Sequence, residues 1–444
     1  MGALSRARSR TAENAGGGPP AHPTNRLYVE ELDTVRHLLV LLTCALLLSL
    51  FALPAVAQEG VDGVSGLIAF IAYTDTNDNG VIEPVSDNGS LWVIDAACAA
   101  EPETCSQVTV TLTAPDSDER DPAWSPDGTR IAYASHTDLD GNGVIDKRDF
   151  LNLYTFTPAD GTITRVTNSF TLDQRPSWSS DGQRMTFQST ADTNGDAFVT
   201  FADLPAVNVI NAGGGGRTLV ASGVYSVTPA WSPDGTVLAY VAFAEDALAG
   251  TFVTSLFLIG PDGGGRAQIT GVGSMDRTPV WSPDGARIAF VTTTDTNGDG
   301  VIDPLTDNSS VAVTSRDGGG LLTLAASDPF PETLAWSPDG ARIAYVYQGQ
   351  LYTVDSTLAG STVQLTGEGF DAESPTWSPD GRAIAFTSGG RLYVIPADGG
   401  TAVPVTPADF VVAQPRWSPV LSEDGGPTIQ PPENLPTETP TGTG

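Results

Sequence analysis

Four stretches of this chain place oxygen-bearing side chains on alternate residues, a spacing that suits a hard divalent cation. The fullest is Asp138-Leu-Asp140-Gly-Asn142-Gly-Val-Ile-Asp146-Lys-Arg-Asp149. With Asp138 as position 1, side-chain oxygens fall at positions 1, 3, 5, 9 and 12, and a glycine at 6 permits a sharp turn. The backbone carbonyl of Val144 adds an oxygen at position 7, and Ile145 follows as an apolar plug. Oxygen donors without cysteine or histidine select Ca²⁺ over zinc or copper.

The other three stretches vary this theme. Asp295-Thr-Asn297-Gly-Asp299-Gly-Val301-Ile-Asp303 is followed by Asp307, so its last acid falls at position 13. Asp75-Thr-Asn77-Asp-Asn79-Gly-Val-Ile-Glu83 also ends late, at Asp87. In both a proline follows position 9, and a bulge is expected to bring that acid in. Asp192-Thr-Asn194-Gly-Asp196-Ala-Phe198-Val-Thr has Asp203 at position 12 but lacks the glycine at 6. The pattern resembles the calcium loops of EF-hands, with Asp in place of the final Glu, as in dockerin modules. The resemblance implies Ca²⁺ bound at about 10⁻⁴–10⁻³ M, as in extracellular modules, and here strands rather than helices are expected to flank the loops. Asp, Asn and Gly also dominate plain solvent turns, but four recurrences with an apolar plug favour the ion. Loops 138–149 and 295–307 each present four carboxylates at donor positions and the other two present three, so the first pair is expected to bind more tightly.

The elements that hold these loops are legible in seven tryptophans. Trp124, Trp178, Trp231, Trp281, Trp336 and Trp377 each open Trp-Ser-Pro-Asp-Gly (Ser for Pro at 180), and Trp417-Ser-Pro419 is a truncated copy. The steps between them are 54, 53, 50, 55, 41 and 40 residues. A repeat near 40 residues means stacked modules, each too small to bury its own face. After each Asp-Gly comes an apolar run such as Ile131-Ala-Tyr133 or Ile343-Ala-Tyr345, then a second run such as Leu351-Tyr-Thr-Val354, a Gly/Asp turn, and a last run ending near Thr366. That predicts four short strands per unit, the blade of a β-propeller. The tryptophans are expected to pack between blades, and the repeat aspartates to hold turns. Leu67–Tyr73 reads like the run that follows Trp-Ser-Pro-Asp-Gly, while nothing strand-like follows Trp417. Segment 416–420 is therefore expected to supply the innermost strand of the N-terminal blade, closing a seven-bladed, all-β ring; six blades remain an alternative.

These repeats resemble those of TolB-type propellers, relatives of the WD-repeat propellers. The shared signature is Trp-Ser-Pro-Asp-Gly, an Arg-Ile-Ala-Phe-like strand, a Leu-Tyr-Val strand and an Asp-Gly-Gly turn, and it spans roughly residues 66–420. The resemblance implies a propeller fold. It leaves function open, because such propellers serve as scaffolds, peptidase gates and some lyases. TolB itself carries a further N-terminal α/β domain, for which no room is expected here, so a role in the Tol system is not expected to carry over.

Residues 1–57 read as an N-terminal extension and export signal. Arg36-His37 precedes the apolar run Leu38–Leu53, and Ala55-Val-Ala57 suits cleavage before Gln58. An uncleaved anchor is the alternative, and a start near Val35 is expected for the true precursor. Residues 58–420 form the propeller, and the Pro/Thr-rich 421–444 a disordered tail. Cys98 and Cys105 are expected to form a short-loop disulfide after export, worth about 2–3 kcal/mol. With 53 acids against 21 bases the net charge is −32, which repels nucleic acid and anionic lipid. No Gly-x-Ser-x-Gly elbow is present, His136 is the one histidine beyond the signal, and no acid–base pair stands out. The expectation is a monomeric, exported, calcium-binding propeller without a catalytic constellation. It would act as a scaffold for a protein or cell-surface glycan, with no membrane span after signal cleavage. A calcium-assisted polysaccharide lyase is the alternative.

Overall fold

In each of the six complete repeats a Ser hydroxyl and an Asp carboxylate close the same turn. Ser125 Oγ donates to Asp127 Oδ1 at 2.6 Å, Thr129 N donates to the same oxygen at 3.1 Å, and Arg130 N returns to Ser125 Oγ at 2.9 Å. Gly128 sits at φ 66°, where a Cβ would be strained. The aspartates hold turns, as their sequence context implied.

The computed structural model describes residues 66–73, 82, 88–97, 110–111, 118–136, 150–193, 199, 203–222, 228–243, 253–271, 273–303, 306–327, 333–406 and 410–419. All of them fall in one compact unit, Glu59–Gly444. Every regular element among them is a strand, so the chain is all-β, and no described helix is long and apolar enough to cross a membrane. The export signal, Cys98, Cys105 and the tail after 420 lie outside the described residues.

The strands pair in sequence order into antiparallel four-stranded units. One runs Asp118–Trp124, Ile131–His136, Leu151–Thr157, Thr162–Arg165. The units that contain Trp231 and Trp281 share one parallel pairing, Thr254 with Met275, and so form a single eight-stranded sheet. The C-terminal strand Val411–Trp417 lies beside Leu67–Tyr73, with Ile68 opposite Trp417 and Tyr73 opposite Val411.

The core lies between units rather than within them. Leu67, Ala69 and Ile71 pack with Trp124, Ile131 and Tyr133. Ala344 and Leu351 pack with Trp377, Ile384 and Phe386. Ala383, Ala385 and Leu392 pack with Ile68, Phe70 and Trp417. Two polar devices fix these seams. Five indole N–H groups donate to the carbonyl that precedes the neighbouring unit's tryptophan: Trp124 to Arg416 (3.0 Å), Trp178 to Ala123 (3.0 Å), Trp281 to Ala230 (3.2 Å), Trp336 to Val280 (3.0 Å) and Trp377 to Ala335 (2.9 Å). The indole nitrogens of Trp231 and Trp417 are buried without a partner.

The second device is an arginine just after the Asp-Gly turn that stacks on the next unit's tryptophan. Arg130 lies 4.6 Å from the centre of Trp178, Arg184 4.9 Å from Trp231, Arg287 5.0 Å from Trp336 and Arg342 5.0 Å from Trp377. Arg130 and Arg287 also donate to the glycine carbonyl of that unit's turn, Gly182 at 2.6 Å and Gly340 at 3.0 Å. Val237 holds the equivalent place before Trp281, and there Arg316 reaches back instead, onto Trp281 and onto Asp234 at 2.5 Å. Before Trp417 the place is taken by Ala383, whose N–H bonds Ser378 Oγ as Arg130 N bonds Ser125 Oγ. Among the described residues, no arginine stacks on Trp417.

Candidate functional site

The loop from Asp295 to Asp307 is the calcium-like stretch whose proposed donors are all described. Asp295 uses both oxygens on backbone, Oδ1 accepting from Gly298 N at 2.7 Å and Oδ2 from Gly300 N at 2.9 Å. Asn297 Oδ1 accepts from Asp299 N, and Asp299 Oδ1 from Val301 N, each at 2.8 Å. Each oxygen-bearing residue thus turns the chain over its own side chain, and the segment from 294 to 301 is exposed.

Asp307 does something different. It is 1 % exposed, and its Oδ1 accepts from Thr296 N (2.9 Å), Thr296 Oγ1 (3.2 Å) and Asn297 N (3.2 Å), while Oδ2 accepts from Asp303 N (2.9 Å). These donors, Asp303 N first, hold its carboxyl below the usual range. Asp203 plays the same part in its own loop, accepting from Thr193 N and Thr193 Oγ1, both at 2.7 Å. In these two loops the last acid therefore latches onto the threonine that follows position 1. Among the described residues, no three His, Cys, Asp or Glu side chains converge on one point. Asp192 is described, but Asn194, Asp196 and Phe198 are not. The whole of Asp75, Asn77, Asn79, Glu83 and Asp87, and of Asp138, Asp140, Asn142, Val144, Asp146 and Asp149, likewise lies outside the described residues.

His136, which the sequence left without a role, pairs with a buried acid. Its Nδ1 lies 3.0 Å from Asp118 Oδ2, which also accepts from Arg120 Nε at 3.1 Å, and Asp118 Oδ1 accepts from Gly89 N at 3.4 Å. Burial pushes the Asp118 carboxyl up, but the bond from His136 and the Arg120 charge outweigh it and leave it low.

A cavity of about 780 Å³ is lined by the innermost strands of the units. Its wall is made by a repeated distortion. Asp121, Arg175, Thr278, Ser374 and Gln414 stand at φ between 48° and 55°, and each precedes a proline. At each the strand register slips, as between Arg120 and Ala123. A bulge is well placed there, because proline has no N–H to lose from the ladder. For β-branched Thr278 this backbone is a genuine outlier, of the kind that gathers at functional sites. The signal was in the sequence: in six of the seven repeats a proline stands two residues before the tryptophan, with Leu334 the exception.

Side chains on these bulges link neighbouring units around the cavity. Asp121 N donates to Gln414 Oε1 at 2.7 Å, Gln414 Nε2 returns to Asp121 Oδ1 at 3.3 Å, and Arg175 N donates to Asp121 Oδ2 at 3.1 Å. Thr228, Thr278 and Trp417 also line the cavity, but the two hydroxyls and the indole nitrogen are buried away from its surface and have no partner.

A family model described as the TolB beta propeller domain matches residues 197–421. No curated protein matches the chain. Among solved structures, TolB from Acinetobacter baumannii is 20% identical, over 80% of this chain and 66% of that one, with a TM-score of 0.45, so the chain spans about two thirds of its length. An oligogalacturonate lyase solved in complex with manganese is 14% identical, over 77% of this chain and 86% of that one, with a TM-score of 0.53. The oligogalacturonate lyase from Vibrio parahaemolyticus is 12% identical, over 77% and 85%, with a TM-score of 0.51. At these identities the likeness concerns the fold.

Proposed function

Because the chain belongs to the TolB beta propeller domain family, we propose that it is an exported binding platform whose ligand enters the central cavity. The observation that carries this reading is the cavity wall, where left-handed bulges on five strands surround an opening of about 780 Å³. Backbone held in so sparsely populated a region gathers at functional sites. The partner is a protein or a cell-surface glycan.

The scaffold for this role is a seven-bladed ring. The pairing of Val411–Trp417 with Leu67–Tyr73, and the packing of Trp417 between Ile68 and Ala383, support closure by the two chain ends. Calcium is the structural ion of this reading. Asp295, Asn297, Asp299 and the carbonyl of Val301 would hold it in the described loop, with Asp303 and Asp307 closing that loop, and the three related stretches would hold others. The donor chemistry fits, being hard oxygen throughout. When bound, the ion would neutralise clustered carboxylates and stiffen the loop; Asp307 already draws the two ends of the loop together without it.

Capture from envelope and culture supernatant by the exported chain, in millimolar calcium and in EDTA, tests the proposal. A partner retained by the native chain and lost by Thr228→Trp, which puts a bulky ring on the cavity wall, is the expected result. Equal capture by both would refute a cavity site. Loss of capture in EDTA alone would assign calcium the task of ordering the rim. Release of an unsaturated sugar from a polyuronate would instead favour the lyase reading.

A further inference from the structure

Asparagine followed by glycine occurs five times in the chain, at Asn79, Asn88, Asn142, Asn194 and Asn297, and four of the five fall within the calcium-like stretches. Such a pair is chemically weak. Glycine has no side chain to shield its backbone nitrogen, which can close on the asparagine side chain to form a five-membered succinimide. The pairs at 88–89 and 297–298 are both described, and they are held in opposite ways.

Gly89 is locked. It opens a strand opposite Tyr73, and a Cβ placed on it would stand 2.5 Å from Ile71 Cγ2 and 3.1 Å from the Glu119 carbonyl oxygen. Ring closure would have to turn the 88–89 peptide out of that sheet. Gly298 is open. It and Asn297 are exposed, its backbone stands at φ 76°, and a Cβ on it would meet nothing within 4 Å. Neighbouring groups already touch the atoms that would react. Gly298 N donates to Asp295 Oδ1 at 2.7 Å, which places a base on the attacking nitrogen. Asn297 Oδ1 accepts from Asp299 N at 2.8 Å, and this is the oxygen that turns negative when the carbonyl is attacked. Among the described residues, no partner holds Asn297 Nδ2, the leaving group.

We propose that this loop modifies itself at Asn297. Gly298 N attacks Asn297 Cγ and gives its proton to Asp295. The proton passes by way of water to Nδ2 as the Cγ–Nδ2 bond breaks, and ammonia leaves. One water then opens the succinimide at either carbonyl, so that aspartate or isoaspartate replaces Asn297. Either product adds one negative charge to the loop. Aspartate reproduces what the stretch 138–149 already carries at its third position, Asp140. Isoaspartate lengthens the backbone by a methylene and displaces the oxygen that Asp299 N now holds. The proposal goes beyond the platform reading and does not depend on the cavity being a binding site.

The full chain is aged at neutral pH in heavy-oxygen water with EDTA, so that no cation covers Asn297. It is then digested, and each site is read by fragment mass and chromatography. The expected result is heavy oxygen at position 297 in a mixture of aspartate and isoaspartate, with Asn88 still an amide. Both products are required, because direct hydrolysis of the amide gives aspartate alone. Asp295→Asn, which keeps an oxygen acceptor but removes the base, should slow the conversion about tenfold or more. Asn297 remaining intact, aspartate as its sole product, or Asn88 converting as fast would each overturn the proposal. So would an undiminished rate in Asp295→Asn, which would leave Asn297 an ordinary exposed asparagine with no help from its loop.

Discussion

Replacing Trp336 and Trp417 by phenylalanine, one at a time, should have unequal consequences although both are buried tryptophans at a seam (8 % and 6 % exposed). In each case the ring shrinks and a small void forms, so that part of the loss is shared. Trp336 also loses the indole bond to Val280 at 3.0 Å, worth about 1 kcal/mol net. It further weakens the stack with Arg287, worth about 0.5–1 kcal/mol. Trp417 has no such bond to lose, and removing its unpartnered buried N–H relieves a desolvated donor. Trp336→Phe should therefore be the more destabilising by about 1.5–2 kcal/mol, or roughly 2 °C in thermal midpoint for a chain of this size. Calorimetry of the two variants and the native chain at one scan rate is the assay, because large proteins often unfold irreversibly. Equal losses would refute the claim that the indole bond and the arginine hold the seam. So would a larger loss at Trp417.

Asp276 is fully buried, accepts bonds from Thr270 and Thr292, and has its pKa raised by burial. A raised carboxyl favours the folded state below its unfolded pKa, near 3.8, and that contribution is lost as pH rises through the folded value. Asp276→Asn should thus be neutral or stabilising at pH 7 and show no gain at pH 3.5; melting curves at the two pH values check it. Asp284 is the opposite case, because the Ser282 hydroxyl and Ala286 N–H hold its carboxyl low. Its contribution is present above the unfolded pKa and fades as pH falls through the lower folded one, so Asp284→Ala should weaken the protein at pH 7 more than at pH 2. For calcium, Asp295→Ala and Asp138→Ala should each lower the bound stoichiometry by one in equilibrium dialysis; an unchanged stoichiometry removes that loop from the set. Asp307→Ala should free the backbone N–H groups of Thr296, Asn297 and Asp303 and speed their hydrogen exchange, whether or not calcium is present.

The repeating units were legible because their determinants are local. The turn aspartate and its serine lie two residues apart, and the Ile131-Ala-Tyr133 run needs only its own pattern to be read as a strand. What the sequence hid was reciprocity across seams. Arg130 meets Trp178 and Gly182 some fifty residues on, and Gln414 meets Asp121 at a separation of 293. Spacing within one repeat carries no trace of such partners. The role of His136 was missed for a nearer reason, since its partner Asp118 stands opposite it on the adjoining strand of the same unit, a register the spacing alone does not give. In the candidate loops the oxygen donors could be named from spacing alone. The inward turn of Asp307 and Asp203 onto a threonine could not, because it depends on how the chain returns to the sheet.

The stacking arginines point mainly one way along the chain, and this bears on how the protein is made. Arg130, Arg184, Arg287 and Arg342 each clasp a unit that leaves the ribosome after their own. During synthesis every finished unit therefore waits only for its successor. The first sheet is the exception, because its inner strand is Val411–Trp417, among the last segments to appear. Until then Leu67–Tyr73, a strand of apolar side chains that ends buried, has no partner on one side. Such an edge invites pairing with other chains, so the newborn protein needs shielding for almost its whole length. A truncation that removes only 411–417 should leave most units intact and yet aggregate.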